Sequence, residues 1–478
     1  MNINLNGKKF DKPNFFTISN LGGGGSDKYR ETVYLDLLEN TSTLYNYFYL
    51  VQYKIPKTMS FATPWLKNIN NYDTFAEFIK YVRESMIKDK NYYSDKHEFE
   101  SYDYDKTVYL LDSGAANFIN VLHKNIDYNK DKSRFKQEII NIMKSYYDFA
   151  DRFKFDIVIG FDLGGKYTFK GDEIKDNDII EKNKEVKNDS FDLNAYILEE
   201  TIKYIKNKSN FYPKIYATVH GNGVEEYRAY TELILQKEIE YGFKFDGFAL
   251  GGIASAIGKD LKLWNVSDES MDGLNKLIKN QKSISTSEAK NAIISSIACK
   301  VVKDLVKDRD IHALGAGGRL NIIPLYYAGA TSFDTQTPGR RAYDGSGANI
   351  GDFYNPNKGQ SFSKYLPGML DNKLEIINKD ENISYIQINK IKNDIELCGC
   401  CACNKATIAE VKDFYCDKNS NENYYYSRQL INSHAIHQHN YICRLIQKNK
   451  DIDMILKELG RDDDMEAIIK YIIDTYLK

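Results

Sequence analysis

Net charge is the first thing this sequence lacks: 65 Lys and Arg stand against 67 Asp and Glu, leaving a formal charge of −2 over 478 residues. No global basic field draws such a chain to a polyanion, so a nucleic-acid partner would have to be met by a local patch. Long apolar runs are missing too. None approaches the roughly 20 residues needed to cross a bilayer. The opening MNINLNGKKFDKPNFF has neither the apolar segment nor the cleavage site of a signal peptide, so a cytoplasmic location is expected. Cysteine is sparse and unevenly placed. Of seven, four fall between Cys398 and Cys403, which suits a metal site in a reducing compartment better than a disulfide framework. No internal repeat is visible and no linker separates two foldable halves, while 42% hydrophobic residues suffice for a large core.

One stretch organises the rest. Residues 311–341, IHALGAGGRLNIIPLYYAGATSFDTQTPGRR, read as a short apolar strand ending in glycines, a helix, and a second strand stopping at Asp334 ahead of Pro338 and the pair Arg340 and Arg341. The same construction occurs upstream. Apolar strands at 107–111, 156–161, 214–219 and 247–250 end on Asp112-Ser113, Asp162, His220 and Gly251-Gly252. Helical sequence at 132–149, 194–206, 224–241 and 288–306 lies between them. Short strands that are apolar on both faces and alternate with helices are the mark of a buried parallel sheet. Polar residues gathered at six strand ends are more easily brought to one point by a ring than by a flat sheet. The expected fold is therefore α/β, a (β/α)8 TIM-type barrel, with a zinc-binding C-terminal helical extension.

The first hundred residues are less legible. Residues 21–31, LGGGGSDKYRE, lack the Lys-Ser/Thr pair of a phosphate loop and read as a turn. Residues 47–54 read as a strand and 72–87 as an amphipathic helix. The expected organisation is an N-terminal region over 1–100 that includes the first barrel elements, a barrel over 101–390, a zinc-binding extension over 391–450 and a helical tail over 451–478. The polar insert 166–190 reads as a solvated loop, or as a lid over the barrel mouth.

Cys398, Cys400 and Cys403 form a Cys-x-Cys-x-x-Cys pattern that one histidine would complete as a closed, structural tetrahedral Zn2+ site. The helix expected over 430–446 holds His434, His437 and His439, three of the chain's seven histidines.

From residue 107 to 446 these motifs, in this order, resemble the tRNA-guanine transglycosylase family. Its Asp-Ser-Gly is similar to Asp112-Ser113-Gly114, its Phe-Asp to Phe161-Asp162, its Val-Gln-Gly to Val219-His220-Gly221, and its Arg to Arg228. Its Gly-Gly is similar to Gly251-Gly252, its Phe-Asp with following Pro and Arg to Phe333-Asp334, Pro338 and Arg340, and its zinc pattern to the three cysteines with His439-Asn440. Departures are Ala115 and Asn117 after Asp-Ser-Gly, His220 in place of Gln, and the residues after Asp334. The 36 positions from Cys403 to His439 exceed the family spacing, and Leu445-Ile446 would register better with His437, the competing fourth ligand.

The resemblance implies that Asp334 attacks the sugar's anomeric carbon, expels guanine and holds a covalent intermediate that an incoming 7-deazaguanine resolves. It implies Asp112 as general acid and base, Asp162, His220 and Ser113 as base-binding residues, and Gly251 and Gly252 as the platform on which the base ring lies. Arg340 and Arg341 are candidates for backbone phosphates. The three carboxylates persist while the recognition residues drift, so the expected polynucleotide is DNA, as in the phage and genomic-island enzymes that place 7-deazaguanines in DNA, with possible protein partners for opening the duplex. The alternatives are a tRNA-guanine transglycosylase, a non-catalytic nucleic-acid-binding paralogue, and a small-molecule barrel hydrolase.

Overall fold

In a computed structural model, the residues described are 2–19, 42–51, 63–87, 103–163, 190–254, 259–279, 285–336, 421–449, 451–459 and 463–478, less 129 and 319, with isolated positions at 338, 406, 407, 410 and 413. Two strands, β1 (Asn2–Leu5) and β2 (Lys8–Asp11), pair as an antiparallel hairpin. Eight more close a barrel: β3 (Asn14–Ile18), β4 (Thr43–Asn46), β5 (Tyr109–Asp112), β6 (Ile157–Ile159), β7 (Lys214–Val219), β8 (Gly247–Leu250), β9 (Asp310–Ala313) and β10 (Ser332–Thr335). Every strand pair in the ring is parallel, and β10 returns to pair with β3. The chain is a (β/α)8 barrel of the TIM type. Its first two strands lie within residues 1–100, upstream of where the regular pattern begins in the sequence.

The two-sided apolar character of the strands follows from the ring. Phe16, Leu44, Leu110, Ile157, Ile159, Tyr216 and Ala249 fill the interior. Their alternating neighbours, among them Phe15, Tyr45, Tyr109, Leu111, Val158, Phe248 and Phe333, pack outward in the core formed with the helices. This is the period-2 alternation of a strand with both faces buried.

One end of the barrel is closed by the hairpin. Leu5 and Phe10 join the interior cluster. Lys8 Nζ donates to the Asp156 carboxylate (2.7 Å) and to the Thr107 carbonyl (2.7 Å), and Lys12 pairs with Asp310. Those partners precede β5, β6 and β9, or start them, so this is the N-terminal end. Asp156 is 0% exposed, and a carboxylate stranded there without its cation is costly. Lys8→Met is expected to lower the free energy of unfolding by about 3–5 kcal/mol in urea denaturation, and adding Asp156→Asn should recover most of it.

The helices at 132–152, 190–206, 224–241 and 286–306 match the segments expected between strands. The last starts at a capping box in which Ser285 and Glu288 exchange hydrogen bonds with each other's backbone. The strand expected over 47–54 is corrected at 47–51, residues 52–54 lying outside the described residues. The strand is Thr43–Asn46, and the chain turns at Asn46 into a short helix, Tyr47–Leu50. Tyr47, Phe48 and Leu50 are all buried, so their aromatic, strand-like composition reflects packing and not extension.

After β10 the chain returns in the helix Asn421–Lys448, longer than the expected 430–446. It packs on β3, where the rings of Phe15 and His439 lie 4.8 Å apart and Gln447 donates to the Pro13 carbonyl (2.8 Å). The tail forms helices Ile452–Glu458 and Asp463–Tyr476. Ile468, Ile469, Ile472 and Ile473 are buried, and Tyr471 donates to the Ser270 carbonyl (2.7 Å). The tail's apolar face is thus spent on capping the barrel's own helices.

Candidate active site

At the C-terminal ends of the strands the inward positions turn polar. Two residues after Leu44 comes Asn46, and two after Leu110 comes Asp112. These are cross-strand partners in the β4–β5 register, and Asn46 Nδ2 donates to Asp112 Oδ2 at 2.7 Å. On the other side of the ring Asp334 is inward on β10 and only 3% exposed. Asp112 and Asp334 line one cavity of about 470 Å³ with Ile18, Leu44, Asn46, Tyr49, Ala254, Leu314, Gly315, Thr335 and Gln336. It lies at the face of a parallel barrel where catalytic residues gather.

The two carboxylates have different surroundings. Burial, and then the nearby negative charge of Asp334, raise the Asp112 carboxyl from its ordinary 3.8 to about 6, while the Asn46 amide and the backbone at Gly114 oppose the rise. Asp334 Oδ1 accepts the Gly315 N–H at 2.9 Å and lies 3.0 Å from His312 Nε2. Gly315 reaches this position with φ +66°, a left-handed backbone that glycine adopts at no steric cost. Below it, Gly317 N–H donates to the Asp334 carbonyl at 2.7 Å, so side chain and main chain of Asp334 are both held by the turn after β9.

Asp162, His220 and Gly251 form a second cluster at the ends of β6, β7 and β8. His220 Nε2 is paired with Asp162. The Asp162 turn is pinned on both sides: Phe161 N–H donates to the Tyr147 hydroxyl (3.0 Å) and Leu163 N–H to Asn194 Oδ1 (2.8 Å). The buried Tyr227 hydroxyl donates to the Gly251 carbonyl. The His220 ring lies so close over Gly251 that a β-carbon there would overlap it. The open face of this glycine is therefore occupied by histidine. Gly251→Ala is expected to cost about 1–3 kcal/mol through overpacking, seen as a lower urea midpoint, and His220→Ala in the same protein should restore most of the loss.

The structure thus brings Asp112 to Asp334, and Asp162 to His220 and Gly251. Asp162, His220, Gly251, Gly252 and Ser113 do not line the cavity. Ser113 is buried, and its hydroxyl accepts the Ala115 N–H at 3.3 Å, so it serves the start of the helix that follows. Two residues passed over in the sequence belong to the site. Asn46 lies in the region whose pattern was least legible. His312 is a lone histidine inside an apolar strand, two positions ahead of a Leu-Gly turn, and the available signal was its parity with the inward residues.

Arg340, Arg341, Cys398, Cys400, Cys403 and the insert 166–190, up to residue 189, lie outside the described residues. Among the described residues no group of three or more His, Cys, Asp or Glu is placed to hold a metal ion, and no helix is long and apolar enough to cross a membrane. His439 is buried and its Nδ1 lies 2.6 Å from the Ala435 carbonyl; a carbonyl only accepts, so Nδ1 carries the donated proton and Nε2 the lone pair. His437 is half-buried. No family model matches the chain, and no curated protein does.

Proposed function

We propose that the protein is a guanine transglycosylase that exchanges guanine for a 7-deazaguanine base in DNA through a covalent aspartyl intermediate. The observation that carries this reading is the meeting of Asp112 and Asp334 in one cavity at the barrel mouth, one carboxyl raised to about 6 and the other held by a backbone N–H. Two carboxylates in unlike surroundings divide one difficult displacement into two easier ones.

In the first step an Asp334 carboxylate oxygen bonds to C1′ as the C1′–N9 bond breaks, and Asp112 gives its proton to the departing guanine. In the second, N9 of the incoming base bonds to C1′, its proton passes to Asp112, and the electron pair of the breaking C1′–O bond returns to Asp334. Asp162 and His220, paired at the neighbouring strand ends, are the groups to read the base edge, and the base must be unstacked or single-stranded to reach them. Arg340 and Arg341, six and seven positions after Asp334, are assigned to the backbone phosphates.

Cys398, Cys400 and Cys403 with His439 are assigned as a structural Zn2+ site. The donor set suits zinc, and the contact of His439 Nδ1 with the Ala435 carbonyl supports Nε2 as the fourth ligand, with His437 the competing one. Bound there, zinc would tie the segment after β10 to the helix that packs on the barrel.

The test is base exchange: purified protein with labelled guanine, offered single-stranded DNA, duplex DNA and unmodified tRNA in parallel. Label entering DNA alone is the expected result. Label entering tRNA alone would make this a tRNA enzyme and overturn the choice of polynucleotide.

A further inference from the structure

Asp334 has a second neighbour that the proposed chemistry does not use. His312 is 0% exposed and sits on β9 directly opposite Ser332 of β10 in the strand register. Its Nδ1 lies 2.9 Å from Ser332 Oγ and its Nε2 3.0 Å from Asp334 Oδ1. Its ring meets Phe16 edge-on at 5.5 Å between centroids. Ser332 and Asp334, two apart on one strand, share a face, so the imidazole spans them as a rung across the barrel wall.

The partners decide the tautomer. Ionised, as the displacement requires, the Asp334 carboxylate only accepts, so Nε2 carries the proton, and Nδ1 is then the acceptor for the Ser332 hydroxyl proton. Among the described residues both hydrogen bonds to the Asp334 carboxylate fall on the same oxygen, Oδ1, one from Gly315 N–H and one from His312. Two donors converging on Oδ1 from different elements fix the carboxylate plane.

We propose that His312 is a positioning residue for the nucleophile: with the Gly315 N–H it holds Oδ1 of Asp334, so that Oδ2 is the oxygen that attacks. This rests on the transglycosylase reading and deepens it. When Oδ2 bonds to C1′, Oδ1 becomes an ester carbonyl that still accepts both protons. When the C1′–Oδ2 bond breaks, the returning electron pair is shared by a carboxylate whose Oδ1 already has its two donors in place. The same pair of hydrogen bonds therefore orients the attack and eases departure, with no proton leaving His312 in either step.

The experiment measures formation of the covalent protein–polynucleotide adduct and steady-state exchange in four proteins: wild type, His312→Leu, His312→Gln and Ser332→Ala, each checked by thermal melting. His312→Leu should lower kcat about 10²-fold with little change in KM for the polynucleotide, and slow adduct formation in proportion. His312→Gln, which can return an N–H toward Oδ1, should recover at least tenfold of that loss. Ser332→Ala, which removes only the partner of Nδ1, should cost less than His312→Leu. If His312→Leu does not fold, the Gln and Ala variants, which conserve much of the volume, are read against wild type: a kcat within about tenfold of it in both is expected, and a fall of about 10²-fold or more in a folded His312→Gln overturns the role. A wild-type-like kcat in His312→Leu, or in the Gln variant no recovery over Leu, overturns the positioning role while leaving the transglycosylase reading intact. A wild-type protein that forms no adduct and exchanges no base on any of the three polynucleotides overturns both.

Discussion

Asp334→Ala should stop base exchange, with kcat falling by at least about 10⁴-fold, the scale on which nucleophile deletions act when residual binding groups remain. The covalent adduct should disappear with it. The reason is chemical and not architectural. The cavity keeps Asp112 and Asn46, so in the proposed reaction the leaving-group acid is still in place, but nothing is left to bond to C1′. Truncation also leaves the Gly315 N–H and the His312 Nε2 facing an empty space, at a cost of about 1–3 kcal/mol per buried group left unpaired. Asp334→Asn separates the two effects. Its amide oxygen can still accept both hydrogen bonds but is a poor nucleophile, so it should melt close to the wild type and be as inactive as the alanine variant. Substantial adduct formation by either variant would remove Asp334 from the role of nucleophile. Unchanged function in both would point instead to a non-catalytic binding subunit.

The barrel was legible because its strands advertise themselves twice. Buried parallel strands between helices give apolar runs of sequence, and four of the eight lead into a residue with no business in a core: Asp112, Asp162, His220 and Asp334. Closure was not readable from periodicity. It depends on β10 finding β3, a pairing between residues more than three hundred positions apart, and β3 and β4 sit in a region whose pattern is broken by the hairpin. The misreading at 47–54 has the same root. Tyr, Phe and Leu in succession satisfy a strand as well as they satisfy a short helix packed among aromatic side chains, and only tertiary context distinguishes them.

Within the site, the sequence identified the residues that end strands and missed those lying beneath or beside them. Asn46 and His312 act through neighbours across the sheet, Asp112 in one case and Ser332 with Asp334 in the other. A cross-strand partner is a property of register, which a single strand does not encode. The His220 and Gly251 pair is similar. Each was visible as a polar or flexible strand end, but that one fills the space above the other follows from β7 and β8 being neighbours with Val219 opposite Leu250.

Asp112 should give the sharpest pH signature. Its carboxyl is raised to about 6 by burial and by the Asp334 charge, and in the proposed reaction it is protonated to discharge guanine and ionised to accept the proton of the incoming base. The two half-reactions are therefore expected to titrate in opposite directions and about different midpoints, because in the adduct Asp334 is an uncharged ester and no longer helps to raise the Asp112 carboxyl. Adduct formation should fall as pH rises above about 6, and resolution of the adduct by added base should fall only at a lower pH. Asp112→Asn should flatten both limbs and slow both half-reactions by about 10²–10⁴-fold. Stability should move with the same group. Between 3.8, its ordinary value, and about 6 the folded state binds the proton that the unfolded state has released, so stability falls as pH rises through that window. The full loss is on the order of 2–3 kcal/mol, reduced to the extent that water in the cavity solvates the carboxylate. Asp112→Asn should therefore be more stable than the wild type at pH 7 and close to it at pH 4, in urea denaturation at both. A variant less stable at pH 7 would mean that the carboxylate is held there by contacts that favour its charge. It could not then be the proton donor of the first step.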